Sequence, residues 1–302
     1  MQIGFAAPVA GSWATPDNQV RIAQRAEELG YSGVWTFQRL IYPAVPEGDR
    51  WAPVYKSVLD PLITLAFLAG ETTRIRLGSA IVNAPYLSPL LLAKQFTTID
   101  VLSKGRLDAG VGLGWSPQEF AAAGAPYEKR GKRMDDFLKA LDAIMTTDPV
   151  DYHGEFYEIA NAHVLPKPVQ QPRPPFILGG SSEPALRRAG RLADGWVSAS
   201  RADLSALAPS IELVRSGAIE AGRDPDNLRF ICRGVVKVRK QRDGLLSGSY
   251  DEIKADLDEI AGQGITEVFV DLNFDPEIGN VDADPKESMR RAEDALEAFA
   301  PR

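Results

Sequence analysis

Eight short apolar segments that alternate with amphipathic ones are the feature that most constrains the fold of this chain. Most of the eight are too apolar to have a water-facing side, which predicts strands buried on both faces. Between them, apolar residues recur at helical spacing, as Ile22, Ala26 and Leu29 do. Buried strands alternating with one-sided helices indicate βαβ units and a parallel sheet. The predicted strands are residues 2–8, 33–38, 75–83, 106–112, 175–179, 195–200, 229–239 and 267–273.

The junctions between these segments repeat as well. A capping residue followed by proline, which is typical of a helix start, comes after several of the predicted strands. The sequence therefore predicts an α/β fold, a (β/α)8 TIM barrel whose active site is built from the βα loops. A doubly wound open sheet is the alternative, but eight even units and the lack of Gly-x-Gly-x-x-Gly after the first strand argue against it. The helix starts are Asp60-Pro61, Ser88-Pro89, Ser116-Pro117 and Ser182-Glu183-Pro184.

Two segments interrupt the alternation, one after the second strand and one before the fifth. Residues 39–59 form a long connection rich in Arg, Tyr, Trp and Pro, and loops of this length are usually lids or binding loops. Residues 146–174 contain a predicted hairpin at 150–159 followed by several prolines. We interpret both as insertions in a single domain that spans residues 1–302.

Charge and cysteine content narrow the possible partners. The net charge of −7 argues against nucleic acid or an anionic membrane surface as the main partner. A single cysteine, Cys232, excludes an intramolecular disulfide, and only His153 and His163 accompany it, so no zinc site is expected. The N-terminus has no basic targeting segment and no stretch approaches about 20 apolar residues. We expect a cytoplasmic protein that acts on a small molecule.

Gly179-Gly180-Ser181-Ser182 leads from the fifth strand into a helix start. Glycines let backbone N–H groups approach an anion, and the helix dipole favours its charge, so this turn is a candidate phosphate site. A tight turn without a ligand is the alternative. Arginines on the following helix and after the sixth strand add positive charge, or else form a solvated face: Arg187, Arg188, Arg191 and Arg201.

Alternating glycines end the fourth strand in Gly110-Val111-Gly112-Leu113-Gly114-Trp115. Gly112 and Gly114 would leave a flat surface for a ring, with Trp115 as a wall, although glycines at a barrel mouth also serve close packing. Glu119, three residues after Ser116, predicts a capping box, and a general acid or base is the alternative.

Two further basic segments lie near the predicted barrel mouth. Arg39 in the long loop can hold a carboxylate or phosphate, or form a surface ion pair. Arg239, Lys240 and Arg242 follow the seventh strand, where barrel enzymes often bind phosphate, but these charges can equally be solvated. No Ser-His-Asp, Cys-His or metal-ligand cluster is visible. A bound cofactor that carries the reactive group would explain how an enzyme can work with so few reactive side chains.

The order of these motifs resembles the luciferase-like monooxygenase family, and within it the deazaflavin-dependent branch that uses coenzyme F420. The resemblance implies a coenzyme ring in the C-terminal mouth of the barrel, a non-prolyl cis peptide in the third strand and hydride transfer at the ring. A homodimer is the family tendency. The motifs that carry it are residues 29–36, 73–79, 103–107, 110–115, 130–133, 175–180 and 193–196.

Carried over by position, the resemblance places the cis peptide at Ala80-Ile81, with Ser79 and Asn83 beside it as coenzyme contacts. It also assigns coenzyme-binding roles to the turn after the fifth strand and to the end of the sixth. With the strand-four glycines, the predicted coenzyme-binding residues are Ser79, Ala80, Ile81, Asn83, Gly112, Gly114, Gly179, Gly180, Ser181, Ser200 and Arg201.

The chain departs from the resemblance at the catalytic positions. Relatives of the F420-dependent glucose-6-phosphate dehydrogenase carry Asp-His and Glu where this chain has Gln38-Arg39 and Trp115. We therefore predict reduction of an activated C=C or C=O bond by F420, with Gln38, Arg39 and Trp115 as candidate catalytic residues. The alternatives are a monooxygenase using reduced FMN, a catalytically silent flavin- or deazaflavin-binding protein, and a cofactor-free phosphosugar isomerase.

Overall fold

The computed structural model describes residues 1–46 and 50–301. Residues 47–49 of the predicted loop 39–59, and residue 302 of the predicted domain, lie outside the described residues. Among the described residues, no helix is both long and apolar enough to cross a bilayer.

Thirteen strands and nine α-helices are present in the described part of the chain. The strands are β1 (Gln2–Ala6), β2 (Gly33–Thr36), β3 (Arg76–Ser79), β4 (Val82–Asn83), β5 (Leu107–Gly112), β6 (Val150–His153), β7 (Glu158–Ala162), β8 (Phe176–Gly179), β9 (Gly195–Val197), β10 (Arg229–Val235), β11 (Lys237–Val238), β12 (Ser247–Gly248) and β13 (Glu267–Asp271). The helices are α1 (Pro16–Glu28), α2 (Pro61–Glu71), α3 (Pro89–Leu102), α4 (Pro117–Ala122), α5 (Arg130–Thr146), α6 (Glu183–Leu192), α7 (Ala208–Glu220), α8 (Tyr250–Gly262) and α9 (Pro285–Ala298).

The main sheet closes on itself, which confirms the predicted (β/α)8 barrel. Its strand order is β3-β2-β1-β13-β10-β9-β8-β5-β4, and β3 also pairs with β5 to close the ring. Every pairing in this sheet is parallel. The eight predicted strands are all present, with β3 and β4 as two halves of the third. The predicted hairpin is the antiparallel pair β6 and β7.

The third predicted strand is interrupted because it carries one extra residue. Gly78 lies opposite Asp108 and Val82 lies opposite Val111, so three residues on one strand face two on the other. This is the geometry of a β-bulge, which bends a strand and re-aims its side chains. The predicted seventh strand is also shorter than expected, since β10 ends at Val235 and residues 237–238 pair with β12 in a separate small sheet.

Helix starts follow the capping chemistry that the sequence predicts. Asp60 accepts hydrogen bonds from the backbone N–H groups of Leu62 and Ile63, and Ser88 accepts one from Leu91. Such side-chain acceptors satisfy donors that have no partner within the helix. Ser182 stands at the N-cap of α6 but makes no capping hydrogen bond.

Ion pairs close the barrel at the N-terminal ends of its strands. Asp108 on β5 is 1% exposed and accepts from Arg76 on β3 at 2.5 Å and from Arg229 on β10 at 2.6 Å. Arg229 also binds Glu267 on β13 at 2.8 Å, and Glu267 accepts from Trp35 Nε1 on β2 at 3.1 Å. Burial opposes ionisation of Asp108, but the hydrogen bond from Arg76 and the charges of Arg229 and Arg76 hold its pKa below the usual value.

We expect Arg229→Met to destabilise the barrel, since it removes the cation shared by two buried carboxylates. Breaking such a pair costs about 3 kcal/mol, which would lower the midpoint of thermal unfolding by about 6 °C or more. The matched control is Arg290→Met, whose side chain is 59% exposed and forms surface pairs on α9. Scanning calorimetry of the two variants checks the prediction, and equal midpoints would contradict it.

Candidate active site

A cavity of about 830 Å³ lies at the C-terminal mouth of the barrel. It is formed by the loops after β2, β4, β5, β8 and β9, together with the start of α5 and α6. All predicted site residues except Ser79 line this cavity, so the structure brings residues from five parts of the sequence to one place. Their roles in binding and catalysis stay predictions. The lining members of that set are Gln38, Arg39, Ala80, Ile81, Asn83, Gly112, Gly114, Trp115, Gly179, Gly180, Ser181, Ser200 and Arg201.

Ser79 lies beneath the cavity, between β3 and β5. Its side chain is fully buried, donates to the Gly110 carbonyl at 2.8 Å and accepts from the Gly110 N–H at 3.0 Å. A Cβ at Gly110 would lie 1.6 Å from the Ser79 carbonyl oxygen, so only glycine allows this approach. We infer that Ser79 joins two barrel strands and does not contribute to the cavity surface.

Ile81 forms the floor of the cavity, and this corrects the expected flat glycine surface. A Cβ at Gly112 would lie 2.4 Å from Ile81 Cδ1, and one at Gly179 would lie 3.3 Å from Ile81 Cγ1. These glycines therefore make room for the Ile81 side chain, the close-packing alternative. The peptide bond between Ala80 and Ile81 is cis, as predicted. Apolar neighbours Leu178 and Val197 extend the same floor.

Arg233 on β10 also faces the cavity, and sequence reasoning missed it. Its side chain is 8% exposed and binds Asp271 on β13 at 2.7 Å. One guanidinium nitrogen donates to the Ala80 carbonyl at 3.3 Å, and the group packs against the rings of Phe37 and Phe274 at 4.6 and 4.5 Å. The sequence does contain a sign of its importance, because Arg233 is a charged residue within the apolar run 230–236. A strand buried on both faces must pair any charge that it carries.

Glu119 holds the start of the long loop, and here the predicted capping box is wrong. Ser116 Oγ does accept from the Glu119 N–H at 3.2 Å, but the carboxylate turns away from the cap. It accepts from Arg39 Nη1 at 2.6 Å, from the Leu40 N–H at 2.8 Å and from the Tyr86 hydroxyl at 3.2 Å. Glu119 is fully buried and the Arg39 side chain is 7% exposed, so their charges cancel out of contact with water.

Aromatic rings surround this ion pair on the cavity side. The Arg39 guanidinium carbon lies 4.6 Å from the ring centroid of Tyr55, 4.9 Å from that of Trp115 and 5.6 Å from that of Trp51. Such cation–π contacts are strongest where water is excluded. Burial, followed by the charge and hydrogen bond of Glu119, raises the pKa of the nearby Tyr86 hydroxyl above its usual value.

Gln38 and Asn83 connect the two neighbouring loops beside the ion pair. Gln38 Oε1 accepts from the Asn83 N–H at 2.8 Å, and both residues are buried. This bond fixes the end of the second strand against β4. Gln38 therefore has a positioning contact in addition to its place on the cavity wall.

The opposite end of the cavity suits an anion. Gly180, at φ +148°, turns the chain from β8 toward α6, and its carbonyl accepts from Trp196 Nε1 at 2.8 Å. The N-terminus of α6 has no capping side chain, so its N–H groups and the helix dipole favour a bound negative charge. Arg188 and Arg130 line this end, and Arg130 Nε is buried without an acceptor among the described residues.

The charged side chains that line the cavity are all positive, among the described residues. Six arginines line it, and no carboxylate, imidazole or thiol does so among the described residues. The other basic segment lies elsewhere, with Arg239 paired to Asp275 and Arg242 paired to Asp256. His153 is exposed on the hairpin beside Asp151. The six lining arginines are Arg39, Arg50, Arg130, Arg188, Arg201 and Arg233.

Comparison with known proteins identifies the family to which the chain belongs. The family model for luciferase-like monooxygenases matches residues 1–299. An FMNH2-dependent dimethylsulfone monooxygenase from Pseudomonas putida is 32% identical over 214 residues, which cover 70% of this chain and 56% of that protein. An F420-dependent glucose-6-phosphate dehydrogenase from Amycolatopsis mediterranei is 30% identical over 188 residues, which cover 60% of this chain and 53% of that protein.

A solved structure supports the fold over the whole length. The structure of an F420-dependent secondary alcohol dehydrogenase in complex with an F420-acetone adduct superposes with a TM-score of 0.80. The match covers 99% of both chains at 17% sequence identity. At this identity the likeness describes the barrel and its closure.

We expect Glu119→Ala to loosen the long loop, because Arg39 would be left buried without its carboxylate. The loss of a buried partner costs about 3 kcal/mol, which would lower the midpoint of thermal unfolding by about 6 °C. Tryptophan emission should shift to longer wavelength as Trp51 and Trp115 become hydrated. The exposed Glu128→Ala is the matched control, and Arg39→Met with Glu119→Gln should recover most of the midpoint. Emission identical to the unsubstituted protein would refute the role of Glu119.

Proposed function

Because this chain belongs to the luciferase-like monooxygenase family, we propose that it is an F420-dependent oxidoreductase that reduces an activated C=C or C=O bond of a small organic molecule. The observation that carries the proposal is the cavity itself, with an apolar floor, an arginine-rich wall and no carboxylate among its described lining residues. Relatives named for F420 and for FMNH2 both resemble the chain, so the choice between the two coenzymes is part of the proposal.

The cavity residues fit an anionic ring coenzyme. Ala80 and Ile81 offer an apolar surface for one face of a ring, and the turn at Gly180 with Ser181 offers backbone donors to a phosphate. The buried Arg130 Nε has no acceptor among the described residues, and an anion at this end would supply one. F420 carries a phosphodiester and several carboxylates, so a wall with several arginines suits its tail.

When bound in its reduced form, F420 would supply a hydride to the acceptor. The protein's own contribution is position and charge. The Ile81 side chain would support the ring, and the Gln38 to Asn83 bond fixes the wall beside it. The rings of Tyr55 and Trp115, near Arg39, would exclude water from that end of the cavity, which we take as the acceptor end. Holding two reactants in one dry cavity removes much of the entropic barrier to their reaction.

The lack of a carboxylate or imidazole base among the described lining residues supports the proposed direction, which is reduction. Oxidation of an alcohol requires a group that takes its proton, and no carboxylate or imidazole lines the cavity among the described residues. Reduction requires a proton donor instead. We assign this role to the Tyr55 hydroxyl, since Tyr55 lines the acceptor end, is 9% exposed and packs against the Arg39 guanidinium.

A monooxygenase that uses reduced FMN is the second candidate. The 32% identity to the dimethylsulfone enzyme favours it, and a water-excluding cavity would suit that chemistry too. We further propose that residues 1–302 act as one domain, that the chain forms a homodimer and that its partner in the reaction is a small molecule.

Coenzyme selectivity is the direct test. We expect purified protein to bind oxidised F420 with micromolar or tighter affinity in fluorescence titration and to bind FMN at least about tenfold more weakly. Reduced F420 in the complex should be reoxidised by conjugated ketones in stopped-flow experiments under nitrogen. Preferential FMN binding would replace the proposal by the monooxygenase, and binding without turnover across the acceptors would leave a silent binding protein.

The proton donor has its own test. Tyr55→Phe should lower kcat by about 100-fold with little change in the dissociation constant of F420, because positioned proton transfer contributes about 10²–10⁴ to rates. Tyr127→Phe is the matched control, since Tyr127 also lines the cavity but is 36% exposed at its mouth. The two variants should differ in kcat and in the solvent isotope effect. Equal rates for Tyr55→Phe and Tyr127→Phe would remove the assignment.

A further inference from the structure

Arg233 is the one arginine that reaches the cavity from a barrel strand, among the described lining residues. The other five lie on helices or on loops at the mouth. Arg233 therefore places a permanent positive charge at the floor, where the surroundings are apolar and the dielectric constant is low. A charge in such a place acts far more strongly on a bound group than one at the rim.

Stability alone does not account for this charge. A buried ion pair contributes little net stability compared with apolar residues of similar size, because taking both charges out of water is costly. Asp271 is fully buried behind the strand and holds Arg233 at 2.7 Å, so the pair is satisfied on that side. Asp271 Oδ1 is already occupied by the N–H and amide of Asn273, each at 2.9 Å.

The guanidinium is only partly used by the protein. It has five N–H groups, and the contacts to Asp271 and the Ala80 carbonyl employ three nitrogen atoms once each. The remaining two N–H groups have no acceptor among the described residues. Phe37 and Phe274 pack against the group and cannot accept in its plane. Donors without acceptors beside a cavity indicate a ligand that accepts hydrogen bonds and carries negative charge.

The contact with the Ala80 carbonyl indicates which part of a bound ligand would lie next to Arg233. Arg233 Nη1 donates to it at 3.3 Å, so the cation lies beside the Ala80 and Ile81 segment that we assign as the ring support. A group resting on Ile81 is therefore the nearest one to Arg233, ahead of an acceptor bound among the aromatic rings near Arg39.

We propose that Arg233 is an anion-binding subsite for the coenzyme ring, which stabilises the negative charge that the ring carries when it is deprotonated or reduced. This rests on the proposed use of a flavin or deazaflavin coenzyme. Asp271 orients the guanidinium from behind and keeps it from folding away into the core. Arg130, at the opposite end of the cavity, serves the phosphate and tail instead.

Two matched sets of variants separate the ring from the tail. Arg233→Met together with Asp271→Asn removes both charges of the buried pair and so avoids an unpaired carboxylate, while Arg233→Lys keeps the cation. Arg239→Met removes an arginine from a comparable ion pair outside the cavity. Arg130→Gln removes a cation at the tail end. Each is titrated with oxidised F420, with the tail-less riboflavin-level deazaflavin and with FMN, and calorimetry confirms that each is folded.

The measurements are the dissociation constant and the pKa of the bound oxidised chromophore, read from its absorption spectrum. The double variant should bind the tail-less chromophore about tenfold or more weakly and raise its bound pKa, since a charged hydrogen bond is lost. Arg233→Lys should restore the pKa, and Arg239→Met should match the unsubstituted protein. Arg130→Gln should weaken F420 and leave the tail-less chromophore unchanged.

The outcomes are distinct. Unchanged chromophore pKa and affinity in the double variant would overturn the subsite while leaving the proposed function standing. A pKa shift confined to Arg130→Gln would reassign the ring charge to the mouth and likewise overturn it. Failure of the unsubstituted protein to bind any of the three chromophores would remove the proposed function and the subsite together.

Discussion

The close approach of β3 and β5 at Gly110 is the contact on which the rest of the site depends. Because Gly110 has no side chain, the Ser79 carbonyl can lie where a Cβ would be, and the Ser79 hydroxyl replaces two ladder hydrogen bonds. This pairing completes the ring of strands. It also leaves one extra residue on the β3 side, so the chain bulges and delivers Ile81 to the floor of the cavity. The contact that closes the barrel thus also determines the shape of its site.

Charge is arranged in opposite ways at the two ends of the barrel. At the N-terminal end, Asp108 and Glu267 lie inside the ring and the arginines surround them. At the C-terminal end, arginines face the cavity while carboxylates lie behind the lining, as Asp271 does for Arg233. An acidic chain with a net charge of −7 can therefore present a cationic interior to a small anion. The net charge describes its outer surface and not its site.

Much of the fold could be predicted because strand burial and helix capping are local signals. The eight strand segments, the hairpin and most helix starts follow directly from apolar runs and from Ser or Asp before proline. The site was predicted less completely, since it depends on which side chains fill the spaces between strands. The strand-four glycines showed that room was needed, but not that Ile81 would take it. Arg233 was visible as a charge in an apolar strand, but its partner Asp271 is 38 residues away and becomes a neighbour only when the barrel closes.

Glu119 shows how the partners that one side chain binds determine the chemistry available to a site. Three residues after Ser116, it satisfies the sequence pattern of a cap, and as a carboxylate near the mouth it would serve as an acid or base. In the structure, the Glu119 carboxylate instead accepts hydrogen bonds from Arg39 and from the Leu40 N–H, both at the start of the long loop. The side chain is completely buried. Its carboxylate is thereby neutralised and withdrawn from the cavity surface. What remains beside the aromatic rings are phenol, amide and guanidinium groups, all of which donate hydrogen bonds to an acceptor. Only the phenol can also donate a proton, and none of the three in these forms readily takes a proton from an alcohol. Under the proposed function, the ion pair that anchors the loop thus also favours reduction over oxidation.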